Sequence, residues 1–576
     1  MSKHDSLHQY PSVTKPWLRY YLKDFTRKGV PQCTVYEQMY SRNARISDAV
    51  ALVYGDKEIT FGSLFREIES TAAAFSSLGV RSGDTVTICS FTIPEVVYSF
   101  YALNMLGVVC NFIDPRTNDE RILHYIKECD SRVALVWEES ISRFLSFQRK
   151  GALDKIILLS PSDSASRQDF CGSKQNNSDS SFLRWNTFRK GAIGATPIPY
   201  PYQKDYPAAI LYTGGTTGIP KGVVLSNDAL NTITVEYDEC GIEYAVGQRF
   251  LNIMPPFVAS GLVCGINMIL GLGLASILVP KFHPDRFAEL YVKYRPNHVL
   301  GVPSYYEKLF KAPEVQNMDF SFVGTISAGG DDLLPEVELK LNHFLRARQC
   351  KVDVVKGYGL TELGSAVTTT RNGVNKIGSV GIPLPLTTIT IRNPKTREEL
   401  PFHSEGEIYI SSPSAMIGYL GAPEEEREVF WTDNQGTRWL KTGDIGYMDE
   451  DGFLFLQGRI KRMIIRPDGH NVWPSKIEEV IMQHPMVHQC VVVGIASSDT
   501  RSGKIPTAFI VTRDDAIEDL ALMEEIDRYC RKHMPERDTA TAYLFVKEIP
   551  LTAVGKVDYL ELEQMMNKRK NHKNLG

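Results

Sequence analysis

Short apolar runs alternate with helically spaced apolar positions along residues 50–160. Ala51 to Tyr54 and Lys57 to Thr60 flank Gly55-Asp56, a hairpin signal, and Leu64, Ile68, Ala72 and Phe75 keep helical spacing up to Gly79. Thr85 to Cys89 reads as a strand, Pro94 to Leu106 as a helix, Val108 to Ile113 as a strand, and Asp119 to Glu128 as a helix started by Asn118. Two more strands are predicted at Arg132 to Val136 and Lys155 to Leu159. Repetition of strand and helix with short turns predicts a parallel sheet covered by helices. The alternation returns from residue 204 to about 390, with strands at Phe250 to Ile253, Ala275 to Val279, Asn297 to Leu300 and Phe322 to Ala328. Gly261 to Pro280 is the nearest approach to a membrane span, but it carries four glycines, Asn267 and Ser276 and reads as a buried helix followed by a strand.

Other stretches follow different rules. Residues 160–182 are rich in Ser, Asp and Asn and nearly free of aliphatics, which predicts a mobile surface insertion. The basic, aromatic segment Lys15 to Tyr21 reads as a peripheral arm. Residues 390–458 are rich in strands and turns and predict a small β-barrel or twisted sheet. Beyond them, a helix from Pro474 carries Ile477, Val480 and Ile481 on one face. Strands at Gln489 to Ile495, Thr507 to Val511 and Tyr543 to Ile549 and a helix through Leu522, Ile526, Tyr529 and Cys530 complete an α+β unit. The expected architecture is α/β. Residues 1–460 form a large N-terminal domain of two helix-covered mixed or parallel sheets plus a small β-barrel subdomain, and residues 461–576 form a small α+β domain.

Composition narrows the function classes. Sixty-four Lys and Arg against 68 Asp and Glu leave a net charge of −4, so no basic field recruits nucleic acid or anionic membrane. The ten cysteines are scattered without Cys-x-x-Cys spacing, which predicts a reducing, cytoplasmic setting and no zinc ribbon. Met1 to His8 has no apolar core, and no transmembrane segment is expected. His484 and His488 share helical spacing, but Pro485 lies between them and no Glu partner or third ligand completes a zinc site.

Candidate chemistry lies in glycine-rich elements. Between the apolar runs ending at Leu211 and starting at Val223, the loop Thr213, Gly214, Gly215, Thr216, Thr217, Gly218 to Lys221 offers backbone N–H groups, hydroxyls and one cation, the makings of a phosphate cradle. Pro220 before the lysine and a strand after it exclude a Walker A loop. In Lys356 to Gly364, Tyr358 lies between Gly357 and Gly359 as a stacking surface for a base, and Thr361 and Glu362 are groups suited to a phosphate oxygen and a Mg2+ ion. Asp444, in Lys441 to Gly446, could accept a ribose diol, Arg459 could bind a diol or a phosphate, and Lys556 sits on a glycine-flanked loop.

Taken in this order, the five motifs resemble the adenylate-forming superfamily of acyl-CoA synthetases, luciferases and peptide-synthetase adenylation domains, over residues 40–560. The resemblance implies an AMP-forming acid–CoA ligase using ATP, Mg2+ and CoA. The acid's carboxylate attacks the α-phosphate of ATP, pyrophosphate leaves, and a thiol displaces AMP from the acyl-adenylate. It also implies roles: Thr213 to Lys221 for the β- and γ-phosphates, Thr361 for the α-phosphate, Glu362 for Mg2+, Tyr358 with Gly359 for adenine, Asp444 and Arg459 for ribose. Lys556 would bridge carboxylate and α-phosphate, Lys461 would be the hinge of a mobile C-terminal domain, and Gly469, His470 and Asn471 would border the thiol tunnel. Phe257, Val258, Val302, Tyr305, Gly329 and Gly357 would line the acyl pocket, whose small, apolar and aromatic character favours a fatty or aryl acid. Three positions depart from the family pattern. Val258 replaces an aromatic, histidine or, in amino-acid-activating domains, aspartate; the loop Ile465 to Gly469 is one residue longer; and Arg462 replaces an acidic residue. The alternative reading is an enzyme, monomeric or homodimeric like the first, that loads a separate acyl carrier protein.

Overall fold

The computed structural model describes residues 9–21, 29–163, 181–191, 196–213, 220–496, 503–513, 517–552 and 557–573, with side chains up to residue 566. Residues 164–180, most of the expected insertion, lie outside the described residues. The chain divides into two compact units: Trp17–Thr388 with Ser411–Leu440, and Met1–Pro16 with Ile389–Ile410 and Lys441–Gly576.

Two sheets build the larger unit. In the first, Gly418–Tyr419, Gly222–Ser226, Pro207–Tyr212, Val109–Phe112, Thr85–Cys89, Val133–Trp137, Lys155–Leu159 and Leu183–Arg184 lie side by side in that order. Its pairings are parallel except at Gly222–Ser226, which runs antiparallel to both neighbours. The second runs Val355–Lys356, Thr325–Ala328, His298–Gly301, Arg249–Asn252, Ala275–Leu278, Val50–Tyr54 and Lys57–Thr60, and is parallel up to the closing hairpin at Gly55. Strands covered on both faces need apolar residues at consecutive positions, as in the fully buried Ile156, Ile157 and Leu159. Helix starts follow their caps: Thr60 accepts from the Ser63 N–H, and Asn118 from the Arg121 N–H. The helix Pro94–Met105 is buried at every position.

Two local expectations gain detail. The helix after Gly261 is π-helical over Ser260–Met268 before the strand Ala275–Leu278. Its glycines allow close packing, since a Cβ on Gly261 would lie 1.9 Å from the Pro255 carbonyl oxygen. Trp17 and Tyr21, expected in a peripheral arm, are buried; the Tyr21 hydroxyl donates to the Pro383 carbonyl at 2.8 Å beneath the Arg371 guanidinium. Their apolar ring area outweighs the basic residues beside them.

In the smaller unit the long strand Arg438–Met448, which begins in the larger one, pairs with Leu454–Arg459. Ser12 donates twice to Glu399, from its N–H and its hydroxyl. The three-stranded sheet Val487–Ala496, Lys504–Thr512 and Ala542–Phe545 packs on the helices Pro474–Met482 and Leu520–His533 through Ile477, Ile481, Val492, Ile510 and Ile526.

Buried polar groups brace the larger unit behind its glycine-rich motifs. Lys356 Nζ meets Glu338 Oε2 at 2.7 Å with both side chains almost fully enclosed. Glu338 also accepts from Asn375 and from the Gly378 N–H, and Lys356 donates to the Lys376 carbonyl. Burial pulls the Lys356 ammonium below its ordinary range, against the opposing pull of Glu338. Glu236 is fully buried; its Oε1 accepts from the Leu386 N–H and the Thr387 hydroxyl, while Oε2 has no hydrogen-bond partner among the described residues. Burial pushes this carboxyl up to about 8 from 4.5.

Two outcomes follow from these groups. Glu338→Ala strands a buried ammonium and is expected to cost about 3–5 kcal/mol in denaturant unfolding; a loss under about 1 kcal/mol would place the pair outside the folding core. Between pH 4.5 and about 8 the folded chain keeps the Glu236 proton that the unfolded chain releases. Stability from this group therefore falls as pH rises through that window and is gone above it. Glu236→Gln should flatten that stretch of the stability profile, and an unchanged slope would exclude Glu236 as its source.

Candidate active site

The phosphate-cradle loop leaves the first sheet between Pro207–Tyr212 and its antiparallel neighbour Gly222–Ser226. Its neck is closed by the Thr213 N–H donating to the Lys221 carbonyl at 3.1 Å and by the Lys221 N–H donating to the Thr213 hydroxyl at 3.4 Å. Gly214, Gly215, Thr216, Thr217 and Gly218 lie outside the described residues, as does Lys556.

Tyr358 is buried, its N–H donating to the Thr368 hydroxyl at 2.9 Å. Its flanking glycines are required by neighbouring backbone. A Cβ on Gly359 would lie 1.8 Å from the Ser365 carbonyl oxygen, and one on Gly357 2.8 Å from that of Thr368. Thr361 and Glu362 follow in a single 3-10 turn that Gly364 ends at φ 75°. The Glu362 carbonyl accepts from the Met416 N–H at 2.8 Å, and its Oε1 accepts from the Tyr419 hydroxyl at 2.8 Å. Lys221 Nζ stands 5.0 Å from the centre of the Tyr419 ring. The cradle's cation and the expected metal ligand are thus brought onto one tyrosine that the sequence reading missed. Burial first, and then Glu362, hold the Tyr419 phenol well above its ordinary range, so its hydroxyl is the donor. A two-residue strand, Gly418–Tyr419, is too short to show an alternating pattern.

The expected acyl-pocket residues gather along one edge of the second sheet. His298–Gly301, Thr325–Ala328 and Val355–Lys356 are adjacent and parallel, so Val302, Gly329 and Gly357 follow their carboxyl ends in a row. Phe257 follows Arg249–Asn252, the next strand over. Ligand crevices form outside the carboxyl ends of parallel strands. Phe257 is buried against Phe91, with the Arg116 guanidinium 5.4 Å from its ring centre, and Tyr305 packs on Phe282 at 5.2 Å. Arg116 is engaged by Asp114 through Nε at 2.9 Å and Nη2 at 2.8 Å. Val258 donates its N–H to the Pro255 carbonyl at the start of the π-helical segment.

In the smaller unit, Asp444 and Arg459 face each other across paired strands, with Arg459 Nε 2.9 Å from Asp444 Oδ1. Asp444 is buried and Arg459 exposed. Lys461 lies in the turn Ile460–Arg462. The departure at Arg462 has its partners inside the same unit: Glu478 at 3.0 Å and the Tyr559 ring at 4.0 Å. The longer loop is taken up by a turn in which the Gly469 N–H donates to the Arg466 carbonyl, with Gly469 at φ 82°. Arg466 anchors it to the Arg537 and Thr539 carbonyls, and His470 Nε2 meets Asp538 Oδ1 at 2.5 Å. Asn471 begins a short strand paired with Ile464–Ile465.

The AMP-binding enzyme family matches residues 40–420, and the AMP-binding enzyme C-terminal domain matches residues 476–556. Curated relatives include a long-chain-fatty-acid–CoA ligase of Bacillus subtilis, 29% identical over 94% of this chain and 96% of its own. A probable 4-coumarate–CoA ligase 2 of Dictyostelium discoideum is 30% identical over 88% and 91%. Among solved structures, ATP-bound MatB from Rhodopseudomonas palustris superimposes with a TM-score of 0.79 at 22% identity, covering 92% of this chain and 98% of that one, and shares the fold. The chain belongs to the AMP-binding enzyme family, the adenylate-forming enzymes, and is of the acid–CoA ligase type. No helix among the described residues is long and apolar enough to cross a membrane.

Gly261→Ala forces the π-helical segment away from Pro255 and shifts the run from Phe257. The expected result is a rise of at least about tenfold in KM for the acid, with KM for ATP nearly unchanged, in acid-dependent ATP–pyrophosphate exchange. An equal rise in both would refute a pocket-specific effect.

Proposed function

We propose that the protein activates an apolar fatty or aryl carboxylic acid as its acyl-adenylate and transfers the acyl group to the thiol of CoA. The row of Val302, Gly329 and Gly357 with Phe257 and Tyr305 carries this reading, because these positions at the carboxyl ends of the strands are small, aliphatic or aromatic and none carries a charge. Val258 has no carboxylate to meet an α-ammonium group, which speaks against an amino acid. Relatives named for long-chain fatty acids and 4-coumarate are consistent with either apolar class.

A carboxylate oxygen attacks the α-phosphorus and the bond to the bridging oxygen breaks, so negative charge builds on the leaving pyrophosphate. Lys221 and the Thr213 to Gly218 loop take up that charge, Thr361 binds the α-phosphate, and Tyr358 with Gly359 holds the base. Asp444 and Arg459 bind the ribose, and Lys556 holds the carboxylate against the α-phosphate. Stabilising developing charge with fixed donors is the main lever in such a transfer.

Mg2+ fits Glu362: this half-buried carboxylate shares the Tyr419 side chain with Lys221, and Oε2 has no hydrogen bond among the described residues. No group of three or more acidic, His or Cys side chains among them forms a closed cage, and Mg2+ ordinarily takes one or two carboxylates plus substrate phosphates. When bound, it would neutralise phosphate charge. For the second half-reaction, rotation about Lys461 would bring Gly469, His470 and Asn471 to the thiol, whose sulfur attacks the acyl carbon and releases AMP.

ATP–pyrophosphate exchange against a panel of acids, followed by thioester formation with CoA or with a carrier protein, tests this reading. Exchange driven by fatty or aryl acids and a CoA thioester are expected; acylation of the carrier alone would favour the alternative, and no acid-dependent exchange would end both. Lys221→Ala and Lys556→Ala should each slow adenylation by about 10²–10³-fold. Both should leave thioester formation from supplied acyl-adenylate intact, and its loss would contradict the assignment.

A further inference from the structure

We infer that Tyr419 is the positioning residue for Glu362: its hydroxyl holds one carboxylate oxygen so that the other is presented to a divalent cation, while its ring steadies Lys221 at the mouth of the phosphate loop. The inference rests on the adenylation reading proposed above.

Three links join the segment around Tyr419 to the two groups it serves. Ile417 and Leu420 donate their N–H groups to the Val224 and Gly222 carbonyls, at 2.9 and 2.7 Å, fastening the segment to the strand that leaves the phosphate loop. Met416 donates to the Glu362 carbonyl at 2.8 Å, fixing the backbone of the acid. The Tyr419 hydroxyl then fixes the carboxylate itself at 2.8 Å. The two strands approach closely: a Cβ on Gly222 would lie 3.2 Å from that of Leu420.

This arrangement answers a specific need. A lone carboxylate on a one-turn helix can rotate about its side-chain bonds, and a cation bound mostly by phosphate oxygens gains only from a carboxylate already aimed. One hydrogen bond to Oε1 restricts that rotation and leaves Oε2 for the ion. Groups that orient a metal ligand from behind typically change metal affinity or activity by about 10–100-fold when removed. The same ring, 5.0 Å from Lys221 Nζ, couples the cation of the loop to the acid through one side chain. A tyrosine that only filled space would give the same packing without the hydroxyl, so Tyr419→Phe separates the two roles.

The experiment compares full-length wild type, Tyr419→Phe, Glu362→Gln and the double variant. Binding of Mn2+–ATP to the protein is followed by equilibrium dialysis against the same Mn2+ and ATP without protein, and exchange is measured across a Mg2+ titration. Tyr419→Phe is expected to weaken Mn2+–ATP binding about tenfold or more and to shift the Mg2+ midpoint in the same direction. Its denaturation midpoint and thioester formation from supplied acyl-adenylate should remain near wild type. In the Glu362→Gln background the change should have little further effect. Wild-type metal binding and Mg2+ dependence in Tyr419→Phe, or losses that simply add, would overturn the inference. If the wild type binds Mn2+–ATP but no acid drives exchange, the proposed reaction fails while the binding arm still decides the role of Tyr419; a wild type that binds no Mn2+–ATP overturns both.

Discussion

Parallel pairing puts the carboxyl ends of neighbouring strands on one edge, and the larger unit depends on that constraint. Val302, Gly329 and Gly357 are far apart in sequence, yet each follows a strand paired in parallel with the next. An acyl pocket along this edge needs no long-range interaction beyond the sheet's own hydrogen bonds. The loop proposed to hold phosphate arises differently. It lies between Pro207–Tyr212 and Gly222–Ser226, which among the described strands of the first sheet runs antiparallel to both its neighbours. A parallel continuation would have needed a crossover helix and carried the lysine away from the strand it now adjoins. The second antiparallel pairing of that strand delivers Tyr419.

Polar groups behind the glycine-rich motifs have a complementary task. Glycine lets the backbone approach closely at Gly357 and Gly359, but it also removes side-chain contacts that would hold the loop. Lys356, next to Gly357, supplies an anchor through its enclosed pair with Glu338 and its bond to the Lys376 carbonyl. Glu236 similarly gathers the Leu386 N–H and the Thr387 hydroxyl. Burying a charge gains little net stability, but removing its partner is costly, so such a pair favours one arrangement over its neighbours.

The sequence made long, uniform elements legible. Thr85–Cys89 and Lys155–Leu159 are apolar runs bounded by turns, Asn118 caps its helix, and the five motifs identified the family before any geometry was known. Other features carry no local period. Val355–Lys356 and Gly418–Tyr419 are two-residue strands, and the Lys356–Glu338 contact joins residues 18 apart. Trp17 reads as part of an arm, and its large ring decides that the arm is packed rather than solvated. Tyr419 escaped notice because its importance lies in what it touches, and Lys221 and Glu362 come from distant parts of the chain.

Arg462, expected to depart from the family pattern, has its charge met locally. A cation where an acid is common would repel neighbouring cations if it faced Lys461 alone. Instead its guanidinium bonds Glu478 and lies over the Tyr559 ring, and the same Glu478 oxygen accepts from the Val492 N–H. The residue after Lys461 is therefore tied to a helix, a ring and a sheet of the smaller unit at once. Under the proposed rotation about Lys461, this tie would make residue 462 travel with those elements. An arginine can form this bonded and stacked contact, which a carboxylate cannot.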